Sequence, residues 1–321
     1  MNMTTYQWGI VGLGNIAHRF ASTMNEHGLQ PYAVASRNQA RSDEFKENFN
    51  AVKSYGDYTS LFQDEDVDVV YIASINSQHF ALIKEALENG KHVLCEKAIW
   101  HDSRELALLK QLADDRQLIL AEAMTIFHMP LMHELKRLIA SGKLGEIKQV
   151  QADFGSLKED DPTNRFFSKE KGGGSMLDIG TYALSFLSFF SDGALVELDS
   201  FMIPYAPTGV DERWAISMRT TDDIMLSSNL SFRAKLPKRA LIAGDLAYVE
   251  IMEYPRADEA TIVYPDGSEE VIRAGRTEDA LWYELTNMEE AIAGNREAIL
   301  YGKTAQTVDW MSTLLKREHL I

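Results

Sequence analysis

The chain has 321 residues, enough for about two domains and for a core that needs no disulfide or metal to hold it. Hydrophobic residues make up 45% and charged residues 25%, a balance typical of globular proteins and not of disordered or fibrous ones. The formal net charge of −16 disfavours nucleic acids and anionic membranes as partners. The single cysteine, Cys95, cannot form an intrachain disulfide, and the start of the chain lacks the basic and apolar segments of a signal peptide. We therefore expect a cytoplasmic protein without a membrane span.

The first third of the chain alternates short apolar segments with helical patterns. Residues 67–73 form a β-branched run typical of a strand buried on both faces, and residues 78–88 have helical spacing. Further strands are predicted at 6–11, 32–35, 92–95 and 118–121, and further helices at 16–24, 39–48 and 103–113. This β-α alternation predicts a doubly wound parallel sheet with helices on both faces over residues 1–123.

The pattern changes after residue 123. Strand-like runs separated by turn residues are predicted at 147–154, 194–201, 214–218, 224–232, 247–251 and 261–263. Helical patterns are predicted at 131–140, 175–190, 278–292 and 304–315. We expect residues 124–321 to form a second, α+β domain that contains a large, mostly antiparallel open sheet.

The residues from Gly12 to Ala17, GLGNIA, fit the pattern G-x-G-x-x-G/A directly after the first predicted strand. Gly12 permits a tight turn, Gly14 lets a pyrophosphate approach the backbone, and Ala17 lets the following helix pack closely on the sheet. The helix start at Asn15 and Ile16 offers free N–H groups to an anion. This context predicts a dinucleotide site; the alternative is a purely structural glycine turn.

The end of the second predicted strand indicates which dinucleotide is preferred. An Asp or Glu at this place would bind the ribose hydroxyls of NAD, but the residues here are Ser36, Arg37 and Asn38. Ser36 and Arg37 offer hydroxyl and guanidinium donors to a 2′-phosphate. We expect NADP to be preferred and NAD to be possible; alternatively, Arg37 is only a solvated residue at the start of a helix.

Three further motifs accompany the glycine turn: YIASINSQH at 71–79, CEKA at 95–98 and GGGSMLDIGTY at 172–182. In this order and spacing they resemble the glucose–fructose oxidoreductase, inositol dehydrogenase and rhizopine catabolism family, Gfo/Idh/MocA, over nearly the whole chain. The resemblance implies an N-terminal Rossmann domain and a C-terminal domain whose open sheet mediates homodimers or homotetramers. It also implies hydride transfer between a nicotinamide and a carbinol or carbonyl carbon of a sugar, cyclitol or vicinal diol.

The same resemblance implies which residues carry the chemistry. Lys97 matches the lysine of the family's E-K-P motif, and Asp178 and Tyr182 match the first and last positions of its D-x-G-x-H/Y motif. Tyrosine at the last position is similar to the branch with glucose–fructose oxidoreductase and dimeric dihydrodiol dehydrogenase, which tends to use NADP. The chain departs from the family pattern at three positions: Ile75, Ala98 and Phe127. We therefore expect a substrate that differs from those familiar in that branch.

Oxidation of an alcohol needs a base for the hydroxyl proton while the hydride leaves the carbon. Tyr182 takes that proton if a neighbouring cation, Lys97, stabilises its phenolate; alternatively, Lys97 is itself the base. Asp178 precedes Tyr182 by four residues, so both side chains are expected on the same side of a helix, facing one substrate.

The remaining candidates lie in loops. Ser74, Asn76 and His79 follow a predicted strand at the edge where open α/β sheets bind ligands, and we expect them at the cofactor. Glu96 is expected near the nicotinamide ribose or as a residue that orients the lysine after it. Arg165, shortly before the glycine run, is a candidate substrate contact. No cluster of His, Cys and Asp has metal-ligand spacing, so no metal is expected.

Two other functions fit parts of this pattern. An NAD-dependent glycosidase would keep its cofactor bound and recycle it. A non-catalytic regulator would use the fold to sense a dinucleotide, although the presence of Lys97, Asp178 and Tyr182 argues against it.

Overall fold

The computed structural model describes residues 6–321, and the chain divides into two compact units. One unit comprises Met1–Ala123 and Leu281–Tyr301, and the other comprises Met124–Ala280 and Gly302–Ile321. The sequence pattern had grouped residues 124–321 together, whereas residues 281–301 pack with the N-terminal unit. Leu285 and Met288 share a core with Phe20, and the Trp8 indole donates a hydrogen bond to Glu289 at 3.0 Å.

The N-terminal unit contains a six-stranded parallel sheet, which confirms the predicted fold of this part. Its strands are β1 (Trp8–Val11), β2 (Ala33–Ala35), β3 (Lys53–Tyr55), β4 (Val69–Ile72), β5 (His92–Glu96) and β6 (Leu120–Ala123). The order β3-β2-β1-β4-β5-β6 is that of a Rossmann sheet. Because the direction of winding reverses at β1 and β4, the carboxyl ends of these strands border the place where such sheets bind ligands.

Helices connect the parallel strands. They are α1 (Asn15–Glu26), α2 (Gln39–Phe49), α3 (Tyr58–Phe62), α4 (His79–Glu88) and α5 (Ser103–Asp115). The apolar side of α1 lies on the sheet, where the Phe20 ring stacks on the Tyr71 ring at 3.9 Å between centroids. Asp102 caps α5, because its carboxylate accepts from the backbone N–H of Arg104 at 2.8 Å.

The C-terminal unit contains an eight-stranded sheet. Its strands are β7 (Ile147–Gly155), β8 (Leu195–Pro204), β9 (Asp211–Thr220), β10 (Met225–Ser231), β11 (Arg239–Gly244), β12 (Tyr248–Met252), β13 (Glu259–Val263) and β14 (Glu269–Arg273). The order is β14-β13-β12-β11-β7-β10-β9-β8, with β7 and β10 parallel and the other neighbouring pairs antiparallel. The prediction of a large, mostly antiparallel sheet is confirmed.

The remaining helices are α6 (Pro130–Ala140), α7 (Thr181–Phe189), α8 (Ala280–Ile292) and α9 (Tyr301–Arg317). The single helix predicted over 175–190 is wrong in one respect, because Met176–Gly180 is π-helical and only then does α7 begin. The α7 helix packs against β7 and β10 and is apolar on nearly all sides, as expected of a helix inside a core. Within residues 6–321, no helix combines the length and the apolar character needed to cross a membrane.

Candidate functional site

The glycine turn after β1 has a backbone that only glycine adopts readily. Gly12 has a positive φ of 85°, and its N–H donates to the Ala35 carbonyl at 3.1 Å. A Cβ on Gly12 would lie 2.8 Å from the backbone carbonyl carbon and oxygen of Ala73. The turn therefore brings β1, β2 and β4 together at their carboxyl ends, and no larger residue fits there.

Gly14, unlike Gly12, is not crowded by neighbouring atoms. It is the N-cap of α1, it makes no side-chain capping bond, and the first turn of the helix carries no acidic residue. A Cβ on Gly14 would meet no atom within 4 Å. The N–H groups at the start of α1, including those of Asn15 and Ile16, thus adjoin open space at the positive end of a helix dipole. This arrangement fits the pyrophosphate of a dinucleotide, which is an anion that needs close backbone approach.

Ser36 and Arg37 directly follow β2, and Arg41 lies in the first turn of α2. Ser36 is buried, and its hydroxyl donates to the Asn38 carbonyl at 2.8 Å and accepts from the Ser42 hydroxyl at 3.0 Å. Arg37 is exposed. Arg41, which the sequence analysis did not select, donates to the backbone carbonyl of Leu13 in the glycine turn. A second arginine four residues after Arg37 was the available signal for it.

The ends of β4 and β5 bring four predicted residues to the same edge of the sheet. Ser74 follows β4, and Asn76 begins a short 3-10 turn. Glu96 ends β5, where its carboxylate accepts from the Tyr71 hydroxyl on β4 and, at 3.3 Å, from the backbone N–H of Lys97. These contacts hold Glu96 in place and tie it to the backbone of the lysine after it.

His79 links the loops that follow β4 and β5 from inside the core. Its Nδ1 lies 2.9 Å from the carbonyl oxygen of Ala98, and its Nε2 lies 3.2 Å from that of Ser74. Complete burial lowers the pKa of His79 below its ordinary value. The peptide bond between Lys97 and Ala98 is cis.

Cys95 lies in β5 and is fully buried. Burial raises the pKa of its thiol, which disfavours the thiolate that a nucleophile or metal ligand needs. In the part of the chain that the structure describes, no group of three or more His, Cys, Asp and Glu side chains is arranged to hold a metal ion.

In the C-terminal unit, two polar side chains emerge from an otherwise buried stretch. Of residues 174–190, all are buried except Asp178 and Tyr182. Asp178 and Tyr182 are thus the two side chains of this stretch that remain partly exposed. The Tyr182 ring lies beside Phe154 on β7, with 5.9 Å between ring centroids.

A buried carboxylate on β9 fixes the start of this stretch. Oδ2 of Asp211 accepts from the Ser175 hydroxyl at 2.8 Å, the Met176 N–H at 2.6 Å and the Trp214 indole N–H at 2.7 Å. Burial raises the pKa of Asp211, and these hydrogen bonds oppose that rise. A Cβ on Gly174 would come within 2.2 Å of Oδ1, so the last glycine of the GGG run is required by packing. The motif thus contains positions required by packing as well as the candidate site residues Asp178 and Tyr182.

A lysine that the sequence analysis did not select lies beside Asp178. Nζ of Lys158 is 3.4 Å from Oδ2 of Asp178, and the two side chains are 16% and 18% exposed. The same Nζ lies over the Phe166 ring at 3.6 Å and 5.2 Å from the centroid of Phe232. The guanidinium of Arg165, the predicted substrate contact, is exposed and also lies over Phe166, at 4.2 Å.

The order of the parallel sheet and the glycine turn after β1 define a Rossmann domain of the dinucleotide-binding class. The profile described as an oxidoreductase family with an NAD-binding Rossmann fold, Gfo/Idh/MocA, matches residues 6–124. The profile of the Gfo/Idh/MocA C-terminal domain matches residues 132–250. The chain belongs to the Gfo/Idh/MocA family, and the resemblance found in its motifs is confirmed.

Relatives in this family include enzymes that act on a diol. The chain is 30% identical over 248 residues to the trans-1,2-dihydrobenzene-1,2-diol dehydrogenase of Xenopus tropicalis, covering 76% of this chain and 74% of that one. It is 31% identical over 251 residues to the human enzyme of the same name, covering 77% and 74%. A 3-ketoreductase from Actinomadura kijaniata, solved with NADP and TDP-benzene, has the same fold, with a TM-score of 0.86 at 22% identity over 96% of each chain. A levoglucosan dehydrogenase solved with NADH and levoglucosan also has this fold, with a TM-score of 0.84 at 18% identity over 98% of each chain.

Proposed function

We propose that this chain transfers a hydride between a nicotinamide dinucleotide and a carbinol or carbonyl carbon of a sugar, cyclitol or vicinal diol. The observation that most directly supports this proposal is that, of residues 174–190, Asp178 and Tyr182 are the two that are not buried. A carboxylate and a phenol that are four residues apart and partly exposed among buried neighbours provide an acceptor and a proton carrier for adjacent hydroxyls of a polyol. The relatives named for a diol substrate support this substrate class.

The proposed division of labour follows from the chemistry of each group. The nicotinamide supplies the hydride acceptor or donor. Tyr182 and Lys97 share the acid–base role, with either of them as the group that takes the hydroxyl proton. Asp178 accepts a hydrogen bond from a substrate hydroxyl, and Arg165 contacts the substrate from the same unit.

The proposed cofactor residues are those at the carboxyl ends of the parallel strands. The backbone at Gly12, Gly14, Asn15 and Ile16 would hold the pyrophosphate. Further contacts come from the loops after β4 and β5: Ser74, Asn76, Glu96 and Lys97. His79 supports these loops through the two carbonyls that its ring contacts.

We propose that NADP(H) is preferred and that Arg37 and Arg41 recognise its 2′-phosphate. Ser36 is less suited to this task, because its hydroxyl is engaged inside the protein. Arg37→Ala should weaken NADPH binding by about ten- to hundredfold, the effect of one hydrogen bond to a charged group, and leave NADH binding nearly unchanged. Arg41→Ala should weaken both cofactors, because Arg41 also supports the glycine turn through Leu13. Fluorescence titration of the reduced cofactors measures each affinity.

Arg116→Ala is the matched control for these variants. Arg116 follows the end of α5, where its guanidinium donates to the Glu88 carbonyl at 3.0 Å, away from the ends of the strands that form the proposed site. It should change neither affinity. Equal losses of NADPH and NADH binding in Arg37→Ala would contradict the assignment of the 2′-phosphate to Arg37.

We further propose that the N-terminal unit serves as the dinucleotide-binding domain and that the C-terminal unit binds substrate and forms a homodimer or homotetramer. The outer face of the eight-stranded sheet supports self-association, since large apolar side chains are exposed on it, with Phe201 at 75%, Met252 at 51% and Met225 at 48%. Sedimentation equilibrium tests this proposal, and a monomer at all concentrations would contradict it.

The proposed activity is tested by a panel of aldoses, cyclitols and vicinal diols with NAD⁺ and NADP⁺. We expect reduced nicotinamide to accumulate in proportion to the alcohol oxidised, with at least one member of the panel. Release of free sugar from a glycoside, without net reduction of added cofactor, would instead support the glycosidase.

A further inference from the structure

Lys158 forms an ion pair with Asp178, the proposed substrate-binding carboxylate, and its side chain is held in place by the C-terminal unit. Its backbone N–H donates to the Phe232 carbonyl at 2.9 Å, just beyond the end of β7. Its ammonium lies 3.6 Å from the centroid of Phe166 and 3.4 Å from the Asp178 carboxylate. Two aromatic rings, a backbone bond and an ion pair thus define where the charge of Lys158 lies.

We propose that Lys158 is a positioning residue for the reaction, which holds the Asp178 carboxylate in the orientation that binds a substrate hydroxyl. The proposal rests on the proposed function of Asp178 and adds a residue that the motifs did not select. The proposal is based on the position of the Lys158 ammonium, which contacts both the Asp178 carboxylate and the ring of Phe166.

The ion pair between Lys158 and Asp178 is expected to be stronger than an exposed one because both side chains are partly buried. Exposed ion pairs contribute little, because water screens both charges and long side chains lose freedom. Lys158 and Asp178 are 16% and 18% exposed, so screening is weaker, and the aromatic rings restrict the lysine. A carboxylate held in this way keeps one oxygen engaged with the ammonium while the group remains charged and able to accept a hydrogen bond from an alcohol.

The position of Asp178 in the chain makes the orientation of its carboxylate important. The π-helical turn Met176–Gly180 places Asp178 between buried neighbours on both sides. An aspartate has two rotatable bonds, and its wrong rotamers would turn the carboxylate away from the substrate. The ion pair with Lys158 favours one of them before substrate arrives.

Lys158→Met tests the proposal, because methionine keeps an unbranched apolar side chain and removes the charge. With the most active alcohol of the panel, kcat/KM should fall by about 10- to 100-fold, while the Kd of NADP⁺ changes by less than about twofold. Lys158→Arg should restore most of the activity, since a guanidinium also stacks on aromatic rings and pairs with a carboxylate. In an Asp178→Asn background, Lys158→Met should lower kcat/KM further by less than about threefold, because the two residues act as one unit.

Two further variants keep the test decisive. Lys84→Met removes an exposed lysine that lies 3.7 Å from Glu88 on α4, and it should leave kcat/KM unchanged. Phe166→Leu keeps both charges and removes the ring under the ammonium, so it should lower kcat/KM in the same direction by about three- to tenfold. It carries the test if Lys158→Met does not fold, which thermal unfolding followed by circular dichroism would show.

The outcomes separate this inference from the proposed function. Suppose that the wild-type chain oxidises an alcohol of the panel. If kcat/KM of Lys158→Met then stays within twofold of wild type, or if the losses of the two single variants multiply in the double variant, the inference about Lys158 is overturned and the proposed function stands. If the wild-type chain oxidises no alcohol of the panel with either cofactor, the proposed function fails and this inference fails with it.

Discussion

Tyr182→Phe and Lys97→Ala are each expected to lower kcat by about 10²-fold or more, the low end of what a general acid–base group contributes. In the proposed mechanism both groups lie on the path of the hydroxyl proton, so loss of either interrupts it. The double variant should be scarcely worse than the worse single variant, because groups that act as a unit are strongly non-additive. A double-mutant cycle on kcat with the most active alcohol measures this.

Cofactor titrations separate chemistry from binding in these variants. The NADPH affinity of Tyr182→Phe should stay within a few-fold of wild type, because the lost hydroxyl serves the substrate. Tyr32→Phe is the matched control, because Tyr32 precedes β2 at the amino ends of the parallel strands, where its hydroxyl donates to Asp66 at 2.8 Å, and it should keep full activity. Near-normal turnover by Tyr182→Phe would remove the tyrosine from the mechanism and leave Lys97 as the acid–base group.

The second large effect is expected at the glycine turn, where substitutions of Gly14 and Gly12 separate loss of cofactor binding from loss of stability. Gly14→Ala should leave the free energy of unfolding within about 0.5 kcal/mol of wild type, because the new methyl group meets no atom within 4 Å. It should weaken binding of NADPH and NADH by at least about tenfold, because that methyl group occupies the space assigned to the pyrophosphate. Chemical denaturation and fluorescence titration give the two quantities.

Gly12→Ala should behave differently, since it disturbs the fold itself. Its positive φ and the 2.8 Å approach to Ala73 predict a loss of about 2 kcal/mol or more in the free energy of unfolding, without any cofactor present. Gly28→Ala shares a positive φ, 76°, but has open surroundings, and it should cost about 1 kcal/mol and leave cofactor affinity unchanged. Unchanged cofactor affinity in Gly14→Ala would contradict the pyrophosphate site.

Much of the N-terminal fold was predictable because its strands are short, apolar and separated by amphipathic helices. Of the strands that escaped prediction, β3 and β14 lie at the edges of their sheets, whereas β11 lies between β12 and β7. β3 is three residues long and only partly buried, and β14 is an edge strand in which Glu269, Glu270 and Val271 are exposed. Such strands lack the apolar pattern that identifies buried ones, since neighbouring strands supply the burial.

The grouping of residues 281–301 with the N-terminal unit was also beyond sequence reasoning. The α8 helix was predicted by its spacing, but its partners Trp8 and Phe20 lie more than 250 residues earlier in the chain. A periodic pattern shows which side of a helix is buried and not what covers it.

The candidate site likewise contains residues that the sequence could identify and residues that it could not. Gly12, Gly14, Asp178 and Tyr182 stand in local patterns whose spacing carries the geometry, so they could be selected from the sequence. Lys158 could not, because only the tertiary structure brings its ammonium to Asp178 and over the rings of Phe166 and Phe232. Ser36 was selected as a phosphate donor from its place in the chain, but its hydroxyl has partners that only the tertiary structure reveals.

The most direct test of hydride transfer uses an alcohol labelled with deuterium at the carbinol carbon. The wild-type chain, NADP⁺ and the labelled member of the panel that is most active are incubated, and the reduced cofactor is analysed by mass spectrometry and proton NMR. The account predicts that the deuterium appears on the nicotinamide ring in step with oxidation of the alcohol, and that the label slows turnover. Deuterium lost to water, or product formed while added NADP⁺ stays oxidised, would contradict it.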